Sequence, residues 1–246
     1  MLNQVGLNFK TGSVAVIIQA RMGSSRLPGK VLLDLDGKPM LAKMIDRVRQ
    51  AKYVDELIVS TPDSPKDRPI IDLCRQIQIR TVQGSEKDVL SRYAKTAIEV
   101  DHPVIVRLTG DCPMSDPHLI DQAIREYFER GSDYLSNCNQ RTYPDGLDVE
   151  VFSIKALLEA EYNATEEFSR EHVTPYLRGV HSGIKWGNFE RADLLNDVNL
   201  SHIRWTVDTS TDLARMRELF ALLPEKFRWQ EALSIATRYP RLLGVA

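Results

Sequence analysis

The chain has 246 residues, 43% of them hydrophobic, which is enough for one large α/β domain with a full core. Its formal net charge of −2 gives no general attraction to nucleic acid or to an anionic membrane, so any phosphate binding must come from a local cluster of cations. Three widely spaced cysteines without a Cys-x-x-Cys pair favour a reducing compartment and argue against a structural zinc site. Because no apolar run approaches the roughly 20 residues that span a bilayer, we expect a cytoplasmic protein that binds neither membrane nor nucleic acid.

The N-terminal segment, residues 1–12, is predicted to be a short extension. Its apolar residues are scattered and lack the continuous apolar centre of a secretory signal. Residues 13–246 are predicted to form a single domain, because no internal repeat or flexible linker interrupts them.

The first predicted element is a strand that runs into a polar loop. Residues 14–18 are all apolar and mostly β-branched, which is typical of a strand buried on both faces. The loop that follows carries Arg21, Arg26 and Lys30, which cannot all be buried without an anionic partner, and two glycines that let a ligand approach the backbone. Such a loop at the end of a parallel-type strand is suited to phosphate binding, although a solvated basic loop is the ordinary alternative. Its spacing matches neither the Walker loop nor the G-x-G-x-x-G dinucleotide motif.

Residues 18–30, IQARMGSSRLPGK, resemble the signature of the sugar-acid cytidylyltransferases, which make CMP-activated sugars, and within that family the SpsF-like branch. The resemblance covers most of the chain and implies an α/β, nucleotide-diphospho-sugar transferase (GT-A-like) fold, with a mostly parallel central sheet flanked by helices and a small antiparallel insert. It also implies Mg²⁺-dependent transfer of a nucleotidyl group from CTP to a small acidic or phosphorylated acceptor, and relatives suggest a homodimer. Under this hypothesis Arg21 and Lys30 are catalytic. The loop residues expected to contact the nucleotide are Ala20, Arg21, Met22, Gly23, Ser24, Arg26 and Lys30.

Strands and helices then alternate through the first half of the chain. The Asp36-Gly37 pair predicts a hairpin or tight turn, and Pro39 can open the helix after it. The further predicted elements are a strand at 57–59, a helix with an apolar face from Ile70 to Ile77, a strand at 79–82, a helix at 87–100, a strand at 103–108 and a helix at 117–130. This order implies right-handed βαβ units and a mostly parallel sheet, in which ligands bind at the carboxyl ends of the strands.

The segment 84–92 follows the strand predicted at 79–82 and should therefore lie at the same edge of the sheet. Asp88 and Arg92 could contact the base or the ribose, as residues of this segment do in transferases that the chain resembles. Ser85 with Asp88 is equally a good capping pair for the next helix. A preference for cytosine over uracil rests on the resemblance alone.

The strand predicted at 103–108 ends in a Thr-Gly-Asp sequence that places Asp111 at the same edge. A carboxylate at this position suits a divalent metal, and the matching residue of the family holds Mg²⁺. Asp111 could instead cap the next helix, but Asp116 is better placed for that role because a proline follows it. Arg107 and Thr109 are further expected nucleotide contacts.

Residues 143–152 form a turn followed by alternating acidic and apolar residues, which predicts a half-exposed antiparallel strand with Asp148 and Glu150 on its open face. The region resembles the family's insert over the acceptor site, at about 138–190. Asp145, Asp148 and Glu150 are therefore candidate acceptor-binding residues. An ordinary edge strand with solvated carboxylates is an equal alternative.

Two helices follow, one at 153–163 and one beginning after Thr165. The second contains SREHVTPY, which also resembles an SpsF-like motif and makes Arg170 and His172 candidate acceptor contacts. Arg170 could instead pair with Glu171, and His172 could be a buried histidine with satisfied hydrogen bonds.

Residues 203–208 predict a strand that runs directly into a helix capped by Thr209 or the residue after it. Asp208, at the end of this strand, resembles the second metal carboxylate of the family. Two carboxylates suit Mg²⁺ because this ion keeps much of its coordination shell for water and substrate. A terminal amphipathic helix is predicted at 229–238.

The nearest competing function is a GT-A glycosyltransferase, which uses the same fold but transfers the sugar. Such enzymes usually carry an Asp-x-Asp metal motif at a strand end, whereas Asp34 and Asp36 have this spacing within a predicted turn. A non-catalytic nucleotide-binding protein would not need the cationic loop and both predicted metal carboxylates. The resemblance therefore implies a cytidylyltransferase, and one of surface polysaccharide or glycoconjugate biosynthesis.

Overall fold

The computed structural model describes residues 14–179 and 186–244, so the predicted extension at 1–12 and residues 180–185 of the predicted insert lie outside the described residues. The strands are β1 (Val14–Gln19), β2 (Asp34–Leu35), β3 (Lys38–Pro39), β4 (Glu56–Pro62), β5 (Arg80–Gly84), β6 (Val104–Thr109), β7 (Tyr134–Ser136), β8 (Glu150–Ser153) and β9 (Arg191–Asp193). The helices are α1 (Met40–Val48), α2 (Arg68–Gln76), α3 (Val89–Val100), α4 (Pro117–Arg130), α5 (Ile154–Asn163), α6 (Glu167–His172), α7 (Pro175–Arg178), α8 (Ser210–Ala221) and α9 (Trp229–Arg238). Short 3-10 turns occur at Lys30–Leu32, Pro65–Asp67 and Pro240–Leu242.

The central sheet has the strand order β5-β4-β1-β6-β8-β7-β9. Strands β5, β4, β1 and β6 pair in parallel, and β8 pairs antiparallel with both β6 and β7. β9 is parallel to β7. The predicted mostly parallel sheet is therefore confirmed, and the carboxyl ends of its four parallel strands share one edge.

Helices cover both faces of the sheet, and the side chains of β1 divide between the two resulting cores. Val14, Val16 and Ile18 belong to one core, and Ala15 and Ile17 belong to the other. This confirms the prediction of a strand buried on both faces. No helix in the described part of the chain is long and apolar enough to cross a membrane.

The sequence signals for turns and helix starts are also confirmed. Asp36 and Gly37 both have positive φ and join β2 to β3, as a tight hairpin turn requires. Asp116 accepts hydrogen bonds from the first backbone N–H groups of α4, and Thr209 caps α8. Pro39 lies one position before α1 rather than inside it.

The prediction of a half-exposed strand with Glu150 on its open face is wrong. β8 lies inside the sheet, between β6 and β7, and Glu150 is only 2% exposed. Its carboxylate accepts hydrogen bonds from Arg107 and from Tyr134 Oη, the latter at 2.6 Å. Alternating acidic and apolar residues predict that the acidic face of a strand is exposed to solvent. The prediction fails here because Arg107, from the neighbouring strand, covers that face.

The predicted strand at 203–208 is also wrong, because this segment makes only isolated pairings. Arg204 forms a single bridge with Asp145, and Trp205 N donates a 2.7 Å hydrogen bond to the Asp145 carbonyl. Val207 N donates to the carbonyl of Asp111 at 2.9 Å. The backbone is extended, but its partners belong to loops and not to a neighbouring strand.

Candidate active site

The carboxyl ends of β1 and β6 lie side by side, with Gln19 opposite Thr109. Gly110 N donates a 2.8 Å hydrogen bond to the Gln19 carbonyl, and a Cβ at Gly110 would stand 2.9 Å from that oxygen. A glycine is therefore needed where the two strand ends approach each other. The next residue, Asp111, is thereby brought against the loop that follows β1.

This loop, which we call the polar loop (residues 20–30), folds around the carbonyl of Met22. That oxygen accepts hydrogen bonds from Ser24 N at 2.9 Å and Gly29 N at 3.0 Å. Gly29 has a φ of 69°, in the left-handed region, and begins the 3-10 turn that carries Lys30. The turn directs the Lys30 side chain inward, where the residue is 9% exposed.

Lys30 joins the two predicted metal carboxylates. Its Nζ donates a 2.9 Å hydrogen bond to Asp111 Oδ2 and another 2.9 Å hydrogen bond to Asp208 Oδ1. The backbone bond from Val207 to Asp111 holds the two carboxylate-bearing segments together. The structure thus brings the predicted catalytic lysine and both predicted metal ligands to one point.

The electrostatics of this cluster favour its charged form. Burial opposes the charge on Lys30, but the two carboxylates outweigh it and raise the pKa of the lysine. Burial likewise opposes the charge on Asp111, and the lysine outweighs it, so that the pKa of this carboxyl is lowered. The ammonium of Lys30 and the carboxylate of Asp111 are therefore charged around neutral pH.

Two arginines make further contacts with Asp208. Arg26 Nη2 lies 3.0 Å from Asp208 Oδ1. Arg204 Nη2 lies 2.5 Å from Asp208 Oδ2, and its Nη1 donates to Asp212 at 2.9 Å. Since Arg26 is largely exposed, it can exchange this carboxylate for a phosphate at little cost.

The donor set fits a divalent ion that shares its ligands with a substrate. Asp111 and Asp208 supply hard carboxylate oxygens directed at a common position. Within the described residues no group of three or more His, Cys, Asp or Glu side chains could hold a metal. A metal bound by these two carboxylates would therefore take its other ligands from phosphate oxygens and water, as Mg²⁺ commonly does.

A cleft of about 410 Å³ opens beside this cluster, between the polar loop, the end of β6, the start of α3 and the end of α6. Most of the predicted nucleotide contacts line it. These are Ala20, Arg21, Ser24, Arg26, Lys30, Arg107 and Thr109, joined by Asp111 and Asp208, the two predicted metal carboxylates. Met22 and Gly23 belong to the same loop but do not line the cleft.

Asp88 and Arg170 lie together outside this cleft. Arg170 Nε lies 3.0 and 2.9 Å from the two carboxylate oxygens of Asp88, and Asp88 also caps α3 by accepting from Ser91 N at 2.9 Å. Arg170 donates in addition to Glu161, so the alternative of an Arg170–Glu171 pair is wrong. The Asp88–Arg170 pair lines a neighbouring groove, and the capping interpretation of Asp88 is confirmed.

The predicted acceptor-binding residues Asp145, Asp148 and Glu150 differ in their exposure and in their partners. Asp145 and Asp148 both accept from Arg141, and Arg204 lies 3.7 Å from Asp145, which places this pair next to the Asp208 cluster. Burial and the neighbouring Asp148 raise the pKa of Asp145. Neither Asp145 nor Asp148 lines the cleft, and Glu150 is buried against its partners.

Glu150 pairs with Arg107, a predicted nucleotide contact. The guanidinium of Arg107 is held between Glu150 and Gln19 Oε1, the latter at 3.1 Å. Burial opposes the charge on Glu150, but Arg107 outweighs it, so that the pKa of this carboxyl is lowered. The pair fixes one edge of Arg107 and leaves the residue on the wall of the cleft.

His172 lines the cleft from α6. It is exposed, so the alternative of a buried histidine is wrong. Its ring lies 4.3 Å from that of Phe168, measured between centroids. This contact orients the imidazole at the mouth of the site.

The sequence interpretation missed two residues that position the site. Asp67 is buried, and its Oδ1 accepts a 2.7 Å hydrogen bond from Met22 N, which anchors the polar loop to the end of β4. Its position before Arg68 and Pro69 suggests only an ordinary helix start, so no local signal distinguishes it. The second residue is Arg204, which lies four residues before Asp208. Its positive charge is the only sequence feature that could have identified it.

The chain matches a protein-family model described as cytidylyltransferase over residues 15–232. Among curated relatives, the spore coat polysaccharide biosynthesis protein SpsF of Bacillus subtilis (strain 168) is 36% identical over 218 residues, which are 87% of this chain and 88% of that protein. The 3-deoxy-manno-octulosonate cytidylyltransferase of Pelobacter propionicus is 28% identical over 231 residues, which are 92% of this chain and 87% of that protein.

Solved structures show the same fold. A cytidylyltransferase from Leptospira borgpetersenii has a TM-score of 0.87 at 28% identity, covering 94% of this chain and 97% of that chain. A protein from Mycobacterium tuberculosis H37Rv, crystallised as a complex with manganese, has a TM-score of 0.56 at 18% identity, covering 85% of this chain and 99% of that chain.

Proposed function

The chain belongs to the cytidylyltransferase family, and on that basis we propose that it transfers a CMP group from CTP to a sugar acid or a related small acidic acceptor, with release of pyrophosphate. The similarity to a 3-deoxy-manno-octulosonate cytidylyltransferase supports a sugar-acid acceptor. The similarity to SpsF supports a role in the synthesis of a surface polysaccharide or glycoconjugate.

One observation carries the proposal: Lys30 contacts both Asp111 and Asp208 at the rim of the cleft. Nucleotidyl transfer requires mainly that the reactants are positioned and that the charge developing around the α-phosphorus is stabilised. A cation and two carboxylates at one point, beside a loop of further cations, provide that arrangement.

The residues of the polar loop have distinct roles in this proposal. Arg21, Arg26 and the loop amides bind the triphosphate, whose oxygens compete with the carboxylates for the ammonium of Lys30. Lys30 and Arg21 then stabilise the charge at the α-phosphate. The acceptor hydroxyl oxygen forms the new bond to the α-phosphorus, its proton passes to water, and the bond to the β-phosphate breaks as pyrophosphate leaves.

Asp111 and Asp208 would hold the divalent ion, which we expect to be Mg²⁺. The oxygen donor set supports this assignment, and the related fold crystallised with manganese supports the use of a divalent ion. When bound, such an ion supplies positive charge to phosphate oxygens and helps to orient the incoming nucleophile.

The acceptor is placed beside Asp208, in contact with the cluster of Arg141, Asp145 and Asp148. Hydroxyl groups of a sugar can donate to the two carboxylates, and Arg141 and Arg204 can pair with an acidic group. His172, which lines the cleft from α6, is a further candidate contact.

A glycosyltransferase receives no support from the structure. The Asp-x-Asp spacing at Asp34 and Asp36 falls in the β2–β3 hairpin, where Asp36 pairs with Lys43 at 2.6 Å. Neither aspartate lines the cleft.

The proposed function is tested by measuring pyrophosphate. The protein is incubated with each nucleoside triphosphate in turn, Mg²⁺ and pools of sugar acids or phosphorylated acceptors. Release only with CTP and an acidic acceptor is the expected result. Transfer of a sugar from a nucleotide sugar would contradict the proposal and favour the glycosyltransferase.

A further inference from the structure

Asp212, in the first turn of α8, is a buried aspartate that holds the main chain of a predicted metal ligand. The residue is 5% exposed. Its Oδ2 accepts hydrogen bonds from Thr209 N and Thr209 Oγ1, both at 2.9 Å, and from Asp208 N at 3.0 Å. The bonds with Thr209 belong to the capping box of the helix. The bond from Asp208 N goes beyond the capping box and fixes the backbone that carries the Asp208 carboxylate.

The other oxygen of Asp212 is linked to the Asp208 carboxylate through an arginine. Asp212 Oδ1 accepts from Arg204 Nη1 at 2.9 Å and from Arg215 Nη2 at 2.7 Å. The second terminal nitrogen of Arg204, Nη2, lies 2.5 Å from Asp208 Oδ2. One guanidinium therefore bridges the two aspartates.

This bridge determines which oxygen of Asp208 faces the site. Its Oδ2 is occupied by Arg204, and its Oδ1 accepts from Lys30 Nζ at 2.9 Å. Asp111 Oδ2 accepts from the same ammonium at 2.9 Å, so Oδ1 of Asp208 is the oxygen that converges with it. A rotation of the Asp208 carboxylate would remove this convergence.

Arg204 is itself fixed by the C-terminal part of the described chain. Its N donates to the Leu243 carbonyl at 3.1 Å, and the buried Trp205 donates from Nε1 to the Leu242 carbonyl at 3.3 Å. Gly244 has a φ of 65°, and a Cβ at this position would overlap the Arg204 carbonyl oxygen. With its backbone held in this way, Arg204 can link the two aspartates at fixed distances.

An ordinary capping role does not account for these contacts. Glu231 occupies the same position in the capping box of α9, where it is exposed and accepts from Arg228 N at 2.8 Å. Asp212 differs because it is buried and bound to two arginines. Burial opposes the charge on Asp212, but the hydrogen bonds that it accepts, above all from Asp208 N, outweigh burial and lower the pKa of this carboxyl. It is therefore a carboxylate around neutral pH, and its charge compensates that of Arg204.

We propose that Asp212 is a positioning residue that orients Asp208 for binding of the divalent ion, through the backbone of Asp208 and through Arg204. This role rests on the proposed function, because it takes Asp208 to be a metal ligand. Without the charge of Asp212, Asp208 would be the nearest carboxylate of Arg204, with Asp145 farther away at 3.7 Å. A guanidinium binds a carboxylate best through both oxygens, so Arg204 would draw Oδ1 of Asp208 away from the metal.

Mn²⁺ binding in the presence of CTP and without acceptor tests this role, with free Mn²⁺ followed by electron paramagnetic resonance and the Mn²⁺ bound by CTP alone subtracted. Asp212→Asn keeps a side-chain oxygen for the helix cap but loses the charge. It is expected to weaken Mn²⁺ binding about 10- to 100-fold, as the loss of a group that orients a metal ligand commonly does. Asp212→Glu keeps the charge but displaces the carboxylate, so it should weaken binding by a smaller factor. Glu231→Gln is the matched control, because it removes a charge from the same position of another capping box, and it should leave Mn²⁺ binding unchanged.

A double-mutant comparison separates positioning from a general effect of the lost charge. If Asp212 acts through Asp208, Asp212→Asn should cause no further loss of Mn²⁺ affinity in a protein that already carries Asp208→Asn. A further loss of the same size would show a long-range electrostatic effect and would overturn the positioning role.

Wild-type affinity for Mn²⁺ in either Asp212 variant, once circular dichroism shows that it is folded, would also overturn this role. A lowered thermal midpoint with unchanged Mn²⁺ binding would mean that Asp212 only caps α8. Both results leave the proposed function intact. A wild-type protein that binds no more Mn²⁺ than CTP alone does, or unchanged Mn²⁺ binding in Asp208→Asn, would overturn the proposed function itself.

Discussion

Lys30 donates a 2.9 Å hydrogen bond to Asp111, a residue 81 positions away in the chain. Its ammonium lies where the two carboxylates of the site converge. Under the proposed function, binding of a metal–nucleotide complex would move the lysine from the carboxylates to the phosphates. One residue would then pair first with the carboxylates and afterwards with the reacting phosphate.

Replacement of Lys30 by glutamine should remove the cation from the reaction. We expect kcat/KM for CTP to fall by about 10²–10³, the usual effect of losing one charge-stabilising contact in an active site. Lys38→Gln is the matched control, because Lys38 is an exposed lysine that pairs with Asp46 at the surface. Near-normal turnover in a folded Lys30→Gln protein, measured by pyrophosphate release, would contradict the assigned role.

Asp111→Asn and Asp208→Asn should each weaken metal binding. Each change removes one of two charged ligands, so we expect the affinity for Mn²⁺ in the presence of CTP to fall by at least about 10-fold. Electron paramagnetic resonance of free Mn²⁺ measures this without turnover. Asp72→Asn, on the exposed face of α2, serves as the control and should leave Mn²⁺ binding unchanged.

Lys30→Gln should have the opposite effect on the metal in the absence of nucleotide. Because the lysine competes for the two carboxylates, its removal should tighten the binding of Mn²⁺ to the unliganded protein. The same resonance measurement, made without CTP, checks this. Weaker binding in the variant would mean that the lysine and the metal do not compete for the carboxylates.

Glu150→Gln should destabilise the fold. The change leaves the buried guanidinium of Arg107 without its carboxylate, which typically costs about 3–5 kcal/mol in unfolding free energy. Urea unfolding followed by circular dichroism measures the loss. Glu218→Gln, which breaks an exposed pair with Arg241, should leave the urea midpoint unchanged. A Glu150→Gln protein as stable as the wild type would show that the pair contributes no net stability.

The contribution of Glu150 should disappear in acid. Arg107 holds the pKa of this carboxyl below its ordinary value of 4.5 in the folded protein. A lowered folded pKa means that the stabilisation is complete above pH 4.5 and is lost as the pH falls through the lower folded value. The difference in urea midpoint between wild type and Glu150→Gln should therefore shrink steadily below pH 4.5. A difference that stays constant down to the acid unfolding of the protein would contradict this interpretation.

The failures of the sequence interpretation have a common physical origin. Glu150 was predicted to face solvent because its own strand alternates, but the strand beside it supplies Arg107 and closes that face. The alternative pairing of Arg170 with the adjacent Glu171 was wrong because Arg170 meets Asp88, which is 82 residues away. In both cases the deciding partner is remote in the chain, and no local pattern identifies it.

Local features of the chain were sufficient to predict β1, the polar loop, the alternation of strands and helices and the capping residues Asp116 and Thr209. Each of these depends on hydrophobic periodicity or on hydrogen bonds between near neighbours, and both can be recognised in a short stretch of sequence. Resemblance to a family added the expected roles of the loop and of the two aspartates. Only the tertiary structure determined which charges meet, because the contact of Lys30 with Asp208, 178 residues away, depends on strand order and register at the edge of the sheet.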